Sequence, residues 1–121
     1  MREEEQKEVK NPTIYLTHED NKKTISVFNG ESISVTIGNP GDGGYQFENP
    51  SYDKSLLVLK SHTHQNPTPR VDGNLITGDF GTDTWIFTSI KSGTTRISID
   101  ASRRWDSSSR TTLFSAIVLI K

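Results

Sequence analysis

This chain has two groups of residues whose types could do chemistry. One is a pair of closely spaced histidines, and the other is a histidine, an aspartate and a serine elsewhere in the sequence. His62 and His64 would share one face of a β-strand and could join a metal site. No third or fourth ligand is spaced to complete that site, so the pattern favours two solvated histidines. His18, Asp106 and Ser107 have the types of a hydrolytic triad, but no nucleophile elbow accompanies them. The sequence therefore predicts no metal, no cofactor and no catalytic residue.

Composition excludes several other functions. The chain has no cysteine, which rules out a disulfide scaffold, a thiolate metal site and a cysteine nucleophile. The glycine-rich stretch at 41–44 lacks the lysine of a phosphate-binding loop and precedes no helical pattern. The formal net charge is −1, so we expect no general attraction to nucleic acid or to an anionic membrane.

Three segments rich in turn-forming, aromatic or cationic residues remain, at 39–44, 78–81 and 103–105. In the first, glycine allows close backbone approach and positive φ, and Pro40-Gly41 suits the centre of a type II turn. A binding role is the favoured interpretation of this segment, and a surface hairpin without a partner is the alternative. The glycines of the second segment also fit the simple role of bounding a long loop.

The aromatic and cationic residues of these segments also allow two interpretations. Tryptophan and arginine dominate interface hot spots, which favours Arg103 and Trp105 as binding residues. The alternative is a solvated arginine beside a tryptophan folded onto the edge of the domain. Phe80 either contacts a partner or tucks underneath its loop, and the sequence leaves both open.

Short alternating segments bounded by Gly, Pro and Asn predict an all-β fold, an immunoglobulin-like antiparallel β-sandwich of about seven or eight short strands. Trp85 and Phe87 alternate along one strand and are predicted core residues. The dipeptide Asn29-Gly30 predicts a hairpin. Residues 103–109 are predicted to form a polar loop. The predicted strands are 13–16, 24–28, 32–37, one that begins at 45–47 and ends at 49–50, 56–59, 84–88, 95–99 and 113–120.

The predicted strands also place the three segments. Two strands separate the first segment from the second, and two more separate the second from the third. In an up-and-down arrangement an even number of strands returns the chain to the same end. All three segments should then crowd one end of the sandwich, where immunoglobulin-like domains build binding sites.

The ends of the chain differ in character. Residues 1–11 are almost wholly charged or polar and predict a disordered tail, with a short charged helix as the alternative. The β-sandwich domain is expected to occupy 12–121. No apolar segment is long enough to span a bilayer.

The three segments resemble, in order and spacing, the loops of the chagasin family of cysteine-peptidase inhibitors. That family carries N-P-T-T-G-[YF]-x-W, G-x-G-G and R-P-W loops on an immunoglobulin-like β-sandwich. Residues 39–40 and 44–47 resemble the flanks of the first motif, 78–82 resemble the second, and 103–105 the third. The resemblance covers residues 12–121.

The chain departs from the family pattern within each loop. Between Pro40 and Tyr45 it has four residues where the family has three, with glycine and aspartate in place of the central threonines. Phe47 stands where tryptophan is usual, Phe80 replaces a glycine, and Arg104 replaces a proline. Loop positions therefore carry over better than detailed contacts.

The resemblance implies a reversible, cleft-filling inhibitor of papain-like cysteine peptidases, and not an enzyme. It implies a protein exported to the periplasm or held as a surface lipoprotein, with a cytoplasmic location as the alternative, and we expect a monomer when free. The competing function is a non-inhibitory binding or adhesion module that uses the same loops for another protein or a carbohydrate. The residues implied to contact the peptidase are Asn39, Pro40, Gly41, Asp42, Gly43, Gly44, Tyr45, Gly78, Asp79, Phe80, Gly81, Arg103, Arg104 and Trp105.

Overall fold

The computed structural model describes residues 12–67 and 80–121. The predicted charged tail at 1–11 lies outside the described residues, as do Gly78 and Asp79 of the second predicted loop. None of the helices in the described residues is long and apolar enough to cross a membrane.

Within these two ranges the chain forms two four-stranded sheets. The all-β sandwich predicted from the sequence is therefore confirmed. The strands are β1 (Thr13–Leu16), β2 (Thr24–Val27), β3 (Ser32–Gly38), β4 (Tyr45–Phe47), β5 (Leu57–Gln65), β6 (Thr82–Ser89), β7 (Gly93–Arg103) and β8 (Asp106–Ile120). The first sheet has the order β1-β3-β6-β5 and the second the order β2-β8-β7-β4.

The core forms where the alternating apolar residues of both sheets face each other. In the first sheet Ile33 pairs with Phe87 and Val35 with Trp85 across β3 and β6, and all four side chains are fully buried. Trp85 and Phe87 are thus core residues, as predicted. Phe114 of β8 is likewise fully buried on the opposing sheet.

Two edge pairs are parallel, so the sandwich is not antiparallel throughout. β1 runs parallel to β3, and β2 runs parallel to β8. Because β2 and β3 belong to different sheets, the hairpin predicted at Asn29-Gly30 is wrong. Gly30 does adopt positive φ, but the turn carries the chain from one sheet to the other.

The polar loop predicted at 103–109 is also wrong, because β8 begins at Asp106. Arg103 pairs with Asp106 across a two-residue connection, and the Ser109 hydroxyl accepts from the backbone N–H of Arg103 at 2.7 Å. Residues 106–112 are all polar, so no alternation of apolar and polar residues marks this part of the strand. The hairpin places Trp105 at its tip.

We expect Phe87→Ala to lower the free energy of unfolding by about 3–5 kcal/mol, because it leaves a large cavity in a fully buried site. Urea unfolding measures the loss. Phe28, which is 65% exposed, supplies the control, and Phe28→Ala should change stability by no more than about 0.5 kcal/mol. Equal losses in the two variants would contradict this assignment of the core.

Candidate functional site

The first loop, residues 39–44, carries the chain from β3 in one sheet to β4 in the other. Gly41 has φ −51° and ψ −7°, so the type II turn predicted at Pro40-Gly41 is wrong. A short 3-10 turn over Asp42–Gly44 follows, and the left-handed conformations fall at Gly43 (φ 72°) and Gly44 (φ 86°). Two of the four residues between Pro40 and Tyr45 therefore adopt a backbone conformation that favours glycine.

The tip of the β7–β8 hairpin lies directly on this loop. The Trp105 ring covers Gly44 so closely that an added Cβ would collide with Cη2 of the indole. Trp105 nevertheless remains 73% exposed. One part of the ring thus packs on the loop while most of it faces solvent, which leaves a large apolar surface beside the glycines.

The two arginines that precede this tryptophan brace the exit from the first loop. The Arg103 Nε donates a hydrogen bond of 2.8 Å to the carbonyl oxygen of Gly43, and its guanidinium lies 4.9 Å from the centre of the Tyr45 ring. The Arg104 Nε donates to Oε1 of Gln46 at 2.7 Å. The solvated alternative for Arg103 is therefore wrong.

Phe80 and Gly81 approach the first loop from its other side. An added Cβ on Gly41 would lie 3.0 Å from Cγ and Cδ1 of Phe80, while the ring stays 39% exposed. Gly81 has φ 83° and passes so close to the carbonyl oxygen of Gln65 that no side chain would fit. The backbone N–H of Asn39 donates to the Gly81 carbonyl at 2.9 Å.

The described parts of all three loops are therefore brought together at one end of the sandwich. We call the first loop together with Phe80 and Trp105 the three-loop surface. Of the residues implied by the resemblance, Gly78 and Asp79 lie outside the described residues.

A polar cluster centred on the buried carboxylate of Asp83, which the sequence did not predict, lies beneath the first loop. Asp83 is only 4% exposed, and its Oδ2 lies 2.6 Å from Nε2 of His62. Its Oδ1 lies 2.7 Å from Nδ1 of His64 and accepts from Nδ2 of Asn39 at 2.9 Å. Both histidines are exposed, as expected of solvated side chains, but each also bonds to Asp83, a contact that the sequence did not predict. We call these four residues the Asp83 cluster.

The cluster was missed because both strands are longer than predicted. β5 continues through the histidines, and β6 begins before Asp83, so His64 and Asp83 pair across the strands. The spacing of His62 and His64 did place them on one face, but nothing in the sequence showed which residue faced them. No group of three or more His, Cys, Asp or Glu in the described ranges could hold a metal ion.

Hydrogen bonding decides the charge state of the cluster's carboxylate. Burial raises the pKa of Asp83, but hydrogen bonds from His64, Asn39 and His62 outweigh it, so that the pKa lies below its ordinary value. The folded structure therefore favours the ionised carboxylate.

An open pocket of about 440 Å³ lies beside the first loop, between the edge strands β4 and β5. Tyr45 and Phe47, which follow the first loop in β4, are half-buried. The edge of the Phe47 ring packs on Trp85, with a centroid distance of 4.7 Å. The pocket is lined by Asn39, Gly41, Gly44, Tyr45, Gln46, Phe47, His62 and Asp83.

Acid should remove the contribution of Asp83 to stability. A carboxylate whose pKa is depressed by folding stabilises the protein fully above its unfolded value, 3.8, and loses that contribution as pH falls through the folded pKa. Urea unfolding from pH 7 to 2 should therefore show the wild type approaching Asp83→Asn below about pH 4. A stability difference that stays constant over this range would contradict the assignment.

Gly44→Ala should displace Trp105 and cost about 1–2 kcal/mol, because alanine is strained at positive φ and its Cβ meets the indole. Tryptophan fluorescence and urea unfolding measure the two effects. Gly38 is the matched control, since a Cβ there meets nothing within 4 Å. Unchanged fluorescence in Gly44→Ala, or an equal change in Gly38→Ala, would contradict the packing described.

Known proteins share this fold. Residues 26–118, more than half of the chain, match the family described as Chagasin family peptidase inhibitor I42. The structure is similar to the cysteine protease inhibitor EhICP2 from Entamoeba histolytica, with a TM-score of 0.75 and 20% identity, over 91% of this chain and 96% of that one. It is also similar to Amebosin, with a TM-score of 0.56 and 22% identity, over 92% of this chain and 100% of that one.

Among curated proteins, no sequence matches this chain significantly. The family match runs from within β2 to within β8, and it includes Phe80 and the hairpin tip that pack around the first loop. The chain therefore belongs to the chagasin family of peptidase inhibitors, which inhibit cysteine peptidases and are not enzymes.

Proposed function

We propose that the three-loop surface enters the active-site cleft of a papain-like cysteine peptidase and blocks it reversibly. The observation that carries the proposal is the packing of Phe80 on Gly41 and of Trp105 on Gly44. These two contacts join segments far apart in the chain into one continuous surface. No bond is broken or formed, and inhibition is steric.

The shape of the first loop supports entry into a narrow cleft. Four residues between Pro40 and Tyr45 include three glycines, so the loop is little wider than its backbone. Its 3-10 turn and the left-handed Gly43 and Gly44 bend the chain back on itself. A bent loop offers no extended peptide bond to the catalytic thiolate, and the inhibitor should stay uncut.

Aromatic residues on both sides of the loop supply the surface for tight contact. Trp105 is 73% exposed and Phe80 is 39% exposed, and each is already held against a glycine of the first loop. A rigid aromatic anchor loses little conformational freedom on binding. We assign Trp105 the larger share of affinity, because tryptophan is enriched among interface hot spots.

Arg103 contributes to the proposed function by holding the loop. Its hydrogen bond to Gly43 and its stacking over Tyr45 occupy the guanidinium within the inhibitor. A glycine-rich loop loses about 1–2 kcal/mol per residue when ordered, so bracing before association reduces the cost of binding. Arg103 is therefore a support for the loop.

Titration against papain and a cathepsin-type peptidase tests the proposal directly. We expect competitive inhibition, with the chain recovered uncut after prolonged incubation. Absence of inhibition at micromolar protein across several papain-fold peptidases would overturn the proposed cleft-filling function. It would favour the use of the same loops for another protein or a carbohydrate.

Trp105→Ala should raise the inhibition constant at least about tenfold, equivalent to ~1.4 kcal/mol, because it removes the largest exposed anchor. Tyr15 is 76% exposed and lies on the edge strand β1, outside the three loops. Tyr15→Ala is the matched control and should leave inhibition unchanged. An unaltered constant in Trp105→Ala would remove that residue from the contact surface.

A further inference from the structure

We propose that Asp83 is the positioning residue of the first loop, and that its buried carboxylate sets the loop's place by holding Asn39. This inference rests on the proposed function, since it concerns the loop assigned to the peptidase cleft. Asp83 itself touches no peptidase, because it is 4% exposed and lies beneath the loop.

Asn39 is the point at which the loop leaves the sheet. β3 ends at Gly38, and the next residue is held by two hydrogen bonds. Its backbone N–H donates to the Gly81 carbonyl, and its side-chain Nδ2 donates to Oδ1 of Asp83, both at 2.9 Å. The direction in which the loop departs is thus set by β6 and by the residue that precedes it.

The carboxylate can act as a fixed acceptor because two histidines hold it from the neighbouring strand. His64 bonds to Oδ1 and His62 to Oδ2, so rotation of the carboxylate would break both contacts. Hydrogen bonds to an ionised group are stronger than those between neutral groups. A buried carboxylate needs such partners to remain charged.

One of the two histidines, His62, is in turn fixed by the core. The His62 ring stacks on Trp85 with a centroid distance of 4.3 Å and an interplanar angle of 17°. Trp85 is fully buried. A continuous series of contacts therefore runs from the core through His62 and Asp83 to Asn39, and ends at the first residue of the loop.

A merely structural role for Asp83 would affect stability and leave the loop in place. Thr84 provides the comparison, because its hydroxyl pairs with that of Thr36 at 2.8 Å across the same two strands, β3 and β6. That pair is partly buried and holds no loop residue. Thr84→Val therefore removes a polar contact next to Asp83 without touching Asn39.

Inhibition of papain by Asp83→Asn, Asn39→Ala and the double variant tests the proposal. We expect each single variant to raise the inhibition constant at least tenfold and the double variant to raise it little further, because both remove one contact. Thr84→Val should stay within twofold of the wild type even if its urea midpoint falls. A constant for Asp83→Asn within twofold of the wild type would overturn the proposal.

A measurement without peptidase separates this proposal from the proposed function. With 5-fluorotryptophan the chain has two ¹⁹F resonances, from Trp85 and Trp105, which Trp105→Phe assigns. Because Trp105 lies on Gly44, its resonance should shift in Asp83→Asn and Asn39→Ala and stay in place in Thr84→Val.

The inhibition constant and the Trp105 resonance therefore distinguish failure of the proposed function from failure of the positioning role. If the wild type inhibits no papain-fold peptidase, the proposed function is wrong, and the Trp105 resonance still decides whether Asp83 positions the loop. An unmoved Trp105 resonance in both loop-anchor variants would overturn the positioning role. Asn39 is only half-buried, so Asn39→Ala keeps the test available should Asp83→Asn fail to fold.

Discussion

The pairing of β6 with β3 on one side and with β5 on the other is the interaction on which the rest of this structure depends. Alternate residues of β6 face inward, and they place Trp85 and Phe87 in the core and Asp83 at the loop end. The buried indole N–H of Trp85 has no hydrogen-bond acceptor within the described ranges. The ring is therefore held by packing against Phe47 and His62. One strand thus links the hydrophobic core to the site.

The first loop has to be both narrow and rigid, and these two requirements favour different residues. Glycine gives the first loop its narrow profile, but it also gives the unbound chain the most conformational freedom to lose. The structure meets this demand with contacts from outside the loop, because the loop itself has few side chains to pack. Asp83 accepts a hydrogen bond from the loop and Arg103 donates one to it. The ring of Trp105 packs on the loop. Preorganisation of this kind favours association without adding contact area.

Sequence patterns predicted the parts of the fold that depend on regular alternation. Ile33 and Val35 alternate with polar residues, which was enough to identify a buried strand. The polar extension of β8 from Asp106 carries no such alternation, because the hairpin there extends past the core and both faces are polar. The contact between His64 and Asp83 joins residues 19 positions apart, and it depends on strand register. Local patterns do not determine register where the facing side chains are polar.

The two ends of the first loop are held by different sheets. Asn39 is fixed by Asp83, which lies in β6 of the first sheet, and by Gly81, which precedes that strand. The exit at Gly43 is fixed by Arg103, at the end of β7 in the second sheet. The loop therefore spans the gap between the sheets, and its shape depends on how they are spaced. Because that spacing is set by the side chains packed between them, the core of the sandwich determines the geometry of the site at its end.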